Sequence, residues 1–310
     1  MKLLVLGAGG IGGYFGGRLA QAGTDVTFLV RPKRREQIER EGLRIESPLG
    51  DAQIKARTVL AEELRPGYDL VLFTCKAYDL DSAMDAIAPV MDGTCAVVPM
   101  LNGIAHLEKL AERFGKPSVM GGTAQINVTL RRDGVVHHMD KLGRIVFGEL
   151  DKSTSTRSKA LADALAKSQV DWKLSPDIEL EMWEKIVFLC TLASATVLFR
   201  ANVREIIAAP GGTKAMQRAL AANVEIATRE RHAPRKEAIE FAHTRLTDPV
   251  GTWSASMLRD LEAGGQVEGD HIVGWMLEKA RKHGVDDTIL SIAYTHLKAY
   301  EARKAAGRLP

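Results

Sequence analysis

A glycine-rich turn near the start of the chain has the spacing of a dinucleotide phosphate site. The apolar run from Lys2 to Leu6 is followed at once by Gly7-Ala8-Gly9-Gly10-Ile11-Gly12, and helical spacing then continues from Tyr14 to Ala22. In the order strand, G-x-G-x-x-G, helix, the glycines permit a tight turn, a close approach of the backbone to a pyrophosphate, and close packing of helix on strand. The helix N-terminus then offers free N–H groups to the phosphates. A glycine-rich turn without a ligand is the alternative, which this context disfavours. The predicted cofactor-binding residues here are Gly7, Gly9, Gly10, Ile11 and Gly12.

Arg31 indicates which dinucleotide would bind. It follows the second predicted strand, Val26 to Val30, at the point where an NAD site usually has an acidic residue for the ribose hydroxyls. A guanidinium suits a 2′-phosphate instead, so we predict that Arg31 binds the 2′-phosphate of NADPH/NADP+. An ordinary solvated helix start is the alternative for the neighbouring Arg34 and Arg35.

Two further polar residues follow apolar strands. Lys76 comes just after the run Val71 to Cys75, and Asn102 comes just after a strand that ends at Pro99. Open α/β sheets bind their ligands at the carboxyl ends of their strands. Lys76 is therefore a candidate for the cofactor phosphates or ribose, and Asn102 for the nicotinamide ribose or the reacting carbonyl. A solvated surface lysine is the alternative for Lys76.

The second half of the chain holds groups that could move a proton, each with an ordinary structural explanation. Lys185 emerges beside an apolar helix stripe, but it also fits an i,i+4 pair with Glu181. Glu268 lies near a helix start, where the helix dipole alone would favour either it or Asp270. Ser256 fits the first turn of another helix, where its hydroxyl could cap the backbone.

The elements that position these residues predict an α/β protein. Strands alternate with helices in the N-terminal half, which is typical of a Rossmann-type doubly wound parallel sheet, here with antiparallel additions at its far edge. From about Asp177 the pattern changes to long helical segments, which predict an all-α C-terminal domain. We therefore predict a cofactor-binding domain over residues 1–176 and a helical substrate domain over residues 177–310, since 310 residues exceed the usual size of one core.

Composition narrows the classes of partner. A net charge of +3, with no basic stripe interleaved with aromatics, does not indicate nucleic acid binding. Three widely spaced cysteines argue against a disulfide framework and against a metal site. The longest apolar helix, near Ile186 to Phe199, is expected to be too short and too interrupted to span a membrane. A cytoplasmic protein is expected, and apolar helices such as Thr288 to Ala305 could pack in the core or form a homodimer interface.

Taken together, these motifs resemble those of the ketopantoate reductases (2-dehydropantoate 2-reductases) from end to end. Each motif is weak alone, but their order and spacing are specific. The matching pieces are the glycine turn, Arg31, Cys75-Lys76-Ala77, Leu101-Asn102-Gly103, Arg132-Asp133-Gly134, Met182-Trp183-Glu184-Lys185, Ser256-Met257-Leu258-Arg259-Asp260 and Glu268-Gly269-Asp270 with Gly274.

The resemblance implies NADPH-dependent reduction of a 2-keto acid to a 2-hydroxy acid, ketopantoate to pantoate in pantothenate biosynthesis being the family reaction. It implies that Lys185 is the catalytic acid and that Glu268 orients the hydroxyl or the lysine. Asn102 and Lys76 would contact the cofactor, and Ser256, together with Asn102 and Lys185, would contact the small-molecule substrate. No metal is implied.

The sequence departs from the family at the amides that bind the substrate. Where family members typically carry asparagines after the catalytic lysine, this chain has Leu189 and Ala193, and a later asparagine motif aligns, shifted, with Asn202-Val203. The Asn-Gly of the Glu268 helix is Val273-Gly274. Because buried amides reject ligands that lack their partners, these changes predict a more apolar or bulkier keto acid. An imine reductase of the same fold and a non-catalytic NADPH-binding sensor remain the alternatives.

Overall fold

The computed structural model describes residues 1–309, which form two compact units. The first unit holds residues 1–102 and 106–179, and the second holds residues 103–105 together with the chain from residue 180 onward. The predicted boundary at residue 176 lies three residues before the last of these divisions. Nothing in the sequence predicted the short segment 103–105 as part of the second unit.

Ten strands and five helices build the first unit, which is an α/β Rossmann-like domain, as predicted. The strands are β1 (Lys2–Leu6), β2 (Asp25–Leu29), β3 (Leu43–Glu46), β4 (Ala52–Ile54), β5 (Arg57–Val59), β6 (Leu70–Phe73), β7 (Ala96–Pro99), β8 (Met120–Leu130), β9 (Val136–Glu149) and β10 (Asp171–Leu174). The helices are α1 (Gly10–Gln21), α2 (Pro32–Glu41), α3 (Leu80–Ile87), α4 (His106–Phe114) and α5 (Thr156–Ala166).

The strands form two sheets rather than one. A parallel sheet has the order β5-β2-β1-β6-β7, and a second sheet has the order β10-β9-β3-β4, with β8 paired antiparallel to β9. The predicted antiparallel strands therefore form a sheet of their own, which meets the far edge of the parallel sheet at an isolated parallel bridge between Val97 on β7 and Val119, just before β8. The reason is the length of β9: it pairs with β8 along one edge, from Met120–Glu149 to Leu130–Val136, and with β3 and β10 along the other, so it forms the centre of a separate sheet.

Helix α1 packs between the two sheets, and small residues allow the close approach. A Cβ added at Gly16 would lie 2.8 Å from the ring of Phe28 on β2, and one at Gly17 would lie 2.7 Å from Ile45 on β3. The middle of the helix, from Gly12 to Leu19, is buried, and Phe15 is fully inaccessible to solvent. The N-terminus of α1 is thereby held at the end of β1.

The second unit is all-helical, as predicted. Its helices are α6 (Ile178–Phe199, which begins in the first unit), α7 (Val203–Ala208), α8 (Gly212–Arg229), α9 (Lys236–Leu246), α10 (Ser256–Glu262), α11 (Trp275–His283) and α12 (Thr288–Ala305). A single π-helical turn, Asp270–Gly274, leads directly into α11.

Helix α6 extends well beyond the apolar stretch from Ile186 to Phe199. It has 22 residues, so by length and composition alone it could cross a membrane, and the expectation that it is too short was wrong. However, 67% of its most apolar window is buried inside the protein, as in the core helix of a globular domain. Burial, rather than length, is the property that marks α6 as a core helix.

A buried ion pair in the first unit gives a test of its packing. Glu149, 4% exposed, accepts hydrogen bonds from Arg157 Nε at 2.8 Å and Nη2 at 2.6 Å. We expect Arg157→Ala to lower the free energy of unfolding by about 3–5 kcal/mol, because it leaves a buried carboxylate unpaired. Urea unfolding would measure this loss. The control Arg113→Ala removes an exposed pair with Asp85, which is worth at most about 1 kcal/mol. Equal losses in the two variants would contradict this account.

Candidate active site

Four of the predicted site residues follow neighbouring strands of the parallel sheet. Because β2, β1, β6 and β7 are adjacent and parallel, their carboxyl ends meet at one edge. Arg31 follows β2, Gly7 follows β1, Lys76 follows β6 and Asn102 follows β7. The structure therefore brings these residues together, in that order, along the edge where α/β sheets bind ligands.

The turn after β1 has the geometry that the motif requires. Gly7 has φ +88°, a conformation that favours glycine, and a Cβ added at Gly12 would lie 2.2 Å from the carbonyl oxygen of Gly7. A Cβ added at Gly9 would meet nothing within 4 Å, so the space over Gly9 is open. Helix α1 begins at Gly10 with no side-chain cap and no acidic residue in its first turn. Its first N–H groups are thus suited to an anion such as a phosphate, and the residues fit a dinucleotide.

Arg34 has a structural role at this turn. Its Nε donates to the carbonyl oxygen of Ala8 at 3.1 Å, and its Nη1 donates to that of Gly134 at 2.9 Å. Burial, followed by the charge of Arg44, lowers the pKa of Arg34. The alternative that Arg34 is an ordinary solvated residue at a helix start is therefore wrong. The turn Arg132-Asp133-Gly134 therefore also has a structural role. The carbonyl oxygen of Gly134 accepts a hydrogen bond from Arg34, and Arg34 in turn binds the backbone of the glycine turn at Ala8.

Arg31 lies where the sequence predicted, with a partner that the sequence analysis missed. It directly precedes α2, and its side chain is 83% exposed. Its Nη2 lies 3.4 Å from Oδ2 of Asp79, which ends the short 3₁₀ turn Ala77–Asp79 after Lys76. An acidic residue three positions beyond Lys76, at the same sheet edge, was the available signal. Arg35, in contrast, makes surface pairs with Glu39 and Glu63.

Lys185 and Glu268 interact electrostatically within the second unit. Lys185 is half-buried on α6, beside the apolar stripe that includes the buried Met182 and Ile186, and Glu268 is 6% exposed. Burial lowers the pKa of Lys185 to about 8, against the charge of Glu268, which raises it. A lysine with this pKa is mostly protonated at neutral pH and still able to release its proton, which suits acid–base chemistry.

Several contacts fix the orientation of α6 around Lys185. Trp183 stacks on His232 at a ring-centroid distance of 5.2 Å and packs against Trp275 at 5.3 Å. Glu184 accepts from Arg235 Nε at 2.7 Å, and Arg235 Nη2 lies 3.2 Å from Glu181. The turn of α6 that precedes Lys185 is therefore held in place by ring packing and by ion pairs.

Glu268 lies two residues before the π-helical turn that begins at Asp270. π-Helical turns are rare in proteins overall, but those that occur are often found at functional sites. Asp270, within the turn, accepts from the hydroxyl of Tyr294 at 2.7 Å and pairs with Lys298 at 3.2 Å, so it has a structural role. Gly103 packs on the same turn, because a Cβ there would lie 2.8 Å from Cδ2 of His271.

Ser256 is the first residue of α10 and is half-buried. Its neighbour Ala255 donates its N–H to Thr196 Oγ1 on α6 at 3.5 Å, which places the start of α10 beside α6. All three cysteines are free thiols. Within residues 1–309, no group of three or more His, Cys, Asp or Glu side chains is arranged to hold a metal ion.

Comparison with known proteins identifies the family. The model of the family described as ketopantoate reductase PanE/ApbA matches residues 3–152, and that of its C-terminal part matches residues 177–301. The chain belongs to the ketopantoate reductase family. It is an oxidoreductase, and an uncharacterized oxidoreductase of Bacillus subtilis, YkpB, is 36% identical over 98% of this chain and 100% of that protein.

Solved structures agree with the fold of this family. The 2-dehydropantoate 2-reductase of Geobacter metallireducens has a TM-score of 0.87 at 26% identity, covering 96% of this chain and 99% of its own. A D-mandelate dehydrogenase in complex with NADH and anilino(oxo)acetate has a TM-score of 0.86 at 24% identity, covering 98% and 100% of the two chains, and shares the fold.

The departures from the ketopantoate reductase pattern are apolar in the structure. Leu189 is half-buried one turn after Lys185, and Ala193 and Val273 are buried. Asn202 does not replace the missing amides, because its side chain caps α7 by accepting from the N–H of Glu205 at 3.1 Å. The surroundings of Lys185 on this helix therefore lack the amides of the family.

The coupling between Lys185 and Glu268 can be tested without a substrate. We expect Glu268→Gln to lower the pKa of Lys185 below 8, by about one pH unit, because it removes the anion that opposes the effect of burial. NMR titration of isotope-labelled lysine would measure the change. Glu262→Gln, an exposed residue on α10, is the control and should leave the titration unchanged. A titration unaltered by Glu268→Gln would show that the two groups are not coupled.

Proposed function

We propose that this protein reduces a 2-keto acid to a 2-hydroxy acid with NADPH, ketopantoate to pantoate being the family reaction. The observation that carries the proposal is the half-buried lysine of pKa about 8 beside a buried carboxylate. Family membership supports the proposal. The glycine turn at the edge of the parallel sheet, which fits a dinucleotide, also supports it.

A nicotinamide cofactor fits the residues at the sheet edge. The open space over Gly9 and the first N–H groups of α1 would hold the pyrophosphate, and Arg31 would pair with the 2′-phosphate. Lys76 would contact the phosphates or ribose, and Asn102 the nicotinamide ribose. When bound, this cofactor supplies the hydride. The D-mandelate dehydrogenase of the same fold contains NADH, which supports a nicotinamide dinucleotide. The preference for NADPH rests on Arg31.

Lys185 supplies the proton in this proposal. As hydride reaches the carbonyl carbon, the carbonyl π electrons move to the oxygen, and Nζ of Lys185 gives that oxygen its proton. The ammonium group also stabilises the alkoxide charge, which develops mainly in the transition state. Glu268 keeps the lysine protonated against its burial and orients it. Ser256 would donate a hydrogen bond to the substrate.

A more apolar keto acid is the second candidate substrate. Phe188 and Leu189 lie one turn after Lys185 on the same side of α6, and the ring of Phe188 contacts that of Phe241 at a centroid distance of 5.7 Å. Phe241 is 53% exposed, so this aromatic surface is open to a ligand. An apolar or aromatic substrate body would remove it from water. Anilino(oxo)acetate, bound by the D-mandelate dehydrogenase, is an amide analogue of such an acid, with a phenyl ring, a carbonyl and a carboxylate.

The decisive experiment is NADPH oxidation with ketopantoate, phenylglyoxylate and branched 2-keto acids. We expect turnover of at least one keto acid, and a loss on the order of a thousandfold in kcat for Lys185→Ala, with NADPH binding retained. Lys236→Ala removes a lysine whose side chain is 84% exposed and should keep full activity. Turnover of ketopantoate assigns the family reaction, whereas turnover of aryl or branched acids alone assigns the second candidate. NADPH binding without turnover across the whole panel would contradict an enzymatic role and favour a sensor.

The proton donor also predicts how activity depends on pH. Reduction needs protonated Lys185, so we expect kcat/KM for reduction to fall about tenfold per pH unit above about pH 8. Oxidation of the hydroxy acid needs the neutral amine of Lys185. Its kcat/KM should therefore increase with pH until about pH 8 and then level off. Lys185→Arg keeps its charge over this range, so any residual activity should not fall there. A wild-type profile for reduction that stays flat up to pH 10 would exclude Lys185 as the proton donor.

A further inference from the structure

We propose that Asp79 is a cofactor-specificity residue that weakens the selectivity of Arg31 for NADPH and allows the enzyme to use NADH as well. This inference rests on the proposed dinucleotide site. It concerns a residue that lies outside the glycine turn and outside the Lys185–Glu268 pair.

The ion pair of Arg31 and Asp79 lies at the sheet edge where the dinucleotide is proposed to bind. Strands β2 and β6 are the two neighbours of β1, and Arg31 follows β2 while Asp79 lies shortly after β6. Their 3.4 Å contact therefore spans the carboxyl end of β1, where the phosphate turn begins. A ligand phosphate or ribose that reaches Arg31 at this edge also comes close to the Asp79 carboxylate.

The chemistry of the two groups carries the second step. A ribose 2′-hydroxyl can donate to a carboxylate, which is how NAD sites bind the ribose, whereas a 2′-phosphate offers only acceptor oxygens and negative charge. Asp79 is therefore a suitable partner for NADH and an unfavourable neighbour for NADPH. Arg31 has the opposite preference, since its guanidinium pairs with phosphate.

The exposure of the pair shows that both groups are available to a ligand. The side chain of Arg31 is 83% exposed and that of Asp79 is 39% exposed. The distance of 3.4 Å is long for a charge-assisted hydrogen bond, so the contact is weak enough to rearrange. With NADPH, Arg31 would turn from the carboxylate to the 2′-phosphate. With NADH, the pair would stay in place and the 2′-hydroxyl would bond to Asp79.

Substitution of Asp79 by asparagine removes the negative charge and keeps the size and shape of the side chain. We expect Asp79→Asn to bind NADPH roughly tenfold more tightly and NADH several-fold more weakly, as measured by quenching of protein fluorescence or by calorimetry. Asp81→Asn is the matched control. Asp81 lies two positions further along the chain, is 78% exposed and pairs with Lys109 at 3.2 Å. Its substitution should leave the NADPH-to-NADH ratio within about twofold of wild type.

The same titrations test the proposed site and the inference separately. If neither dinucleotide binds wild type, the proposed function itself fails. If both bind but Asp79→Asn leaves their ratio unchanged, or shifts it no more than Asp81→Asn, the role of Asp79 is overturned while the proposed function stands. Because both aspartates are partly exposed at the surface, unfolding is not expected to obscure either result, and thermal unfolding curves would check this.

Discussion

The close approach of helix α1 to the end of β1 is the constraint on which the first unit depends. No Cβ fits at Gly12, because it would lie 2.2 Å from the carbonyl oxygen of Gly7. The same helix contacts both sheets through Gly16 and Gly17, so its axis is fixed from two sides. This packing aims the first N–H groups of α1 over the sheet edge. The loop that they follow is fastened by Arg34, which is itself held by the turn at Gly134.

A different balance determines the chemistry of the second unit. Burial disfavours the charge of Lys185, and the nearby carboxylate of Glu268 restores part of it, so that the pKa lies at about 8. Neither effect would produce a proton donor alone: burial without the carboxylate would leave the amine neutral more often, and a fully solvated lysine would hold its proton too strongly. The contacts of Trp183 and Glu184 hold the helix so that this balance is maintained.

Much of the fold was predictable because its signals are local. Strands β1, β2, β6 and β7 are largely apolar runs, and the glycine turn is a contiguous motif, so both can be recognised without knowledge of the contacts. Strand β5 was missed because it has only three residues, and β10 because Asp171 and Lys173 give it a half-polar composition. The separate second sheet was missed because strand partners depend on pairing across long stretches of chain, which periodicity does not specify.

The site residues also divide into those with a local signal in the sequence and those that depend on distant contacts. The glycines, Arg31, Lys76 and Asn102 were found because each follows a strand that can be read from the sequence. Asp79 and the role of Arg34 were missed because their importance comes from contacts with residues 48 and 26 positions away in the chain. Lys185 and Glu268 are separated by more than 80 residues, so helical periodicity alone favoured a local pair for the lysine, and only the family resemblance singled it out.

The short segment 103–105 belongs to the second unit, although the chain on both sides of it belongs to the first. Because Gly103 packs on His271 while residues on both sides of the segment belong to the other unit, neither unit is one continuous stretch of polypeptide. A single crossover event near residue 177 would therefore not transfer the helical unit intact, since it would leave three of its residues behind. The segment also limits which residues can replace Gly103 and His271, since a Cβ at position 103 would lie 2.8 Å from the His271 ring.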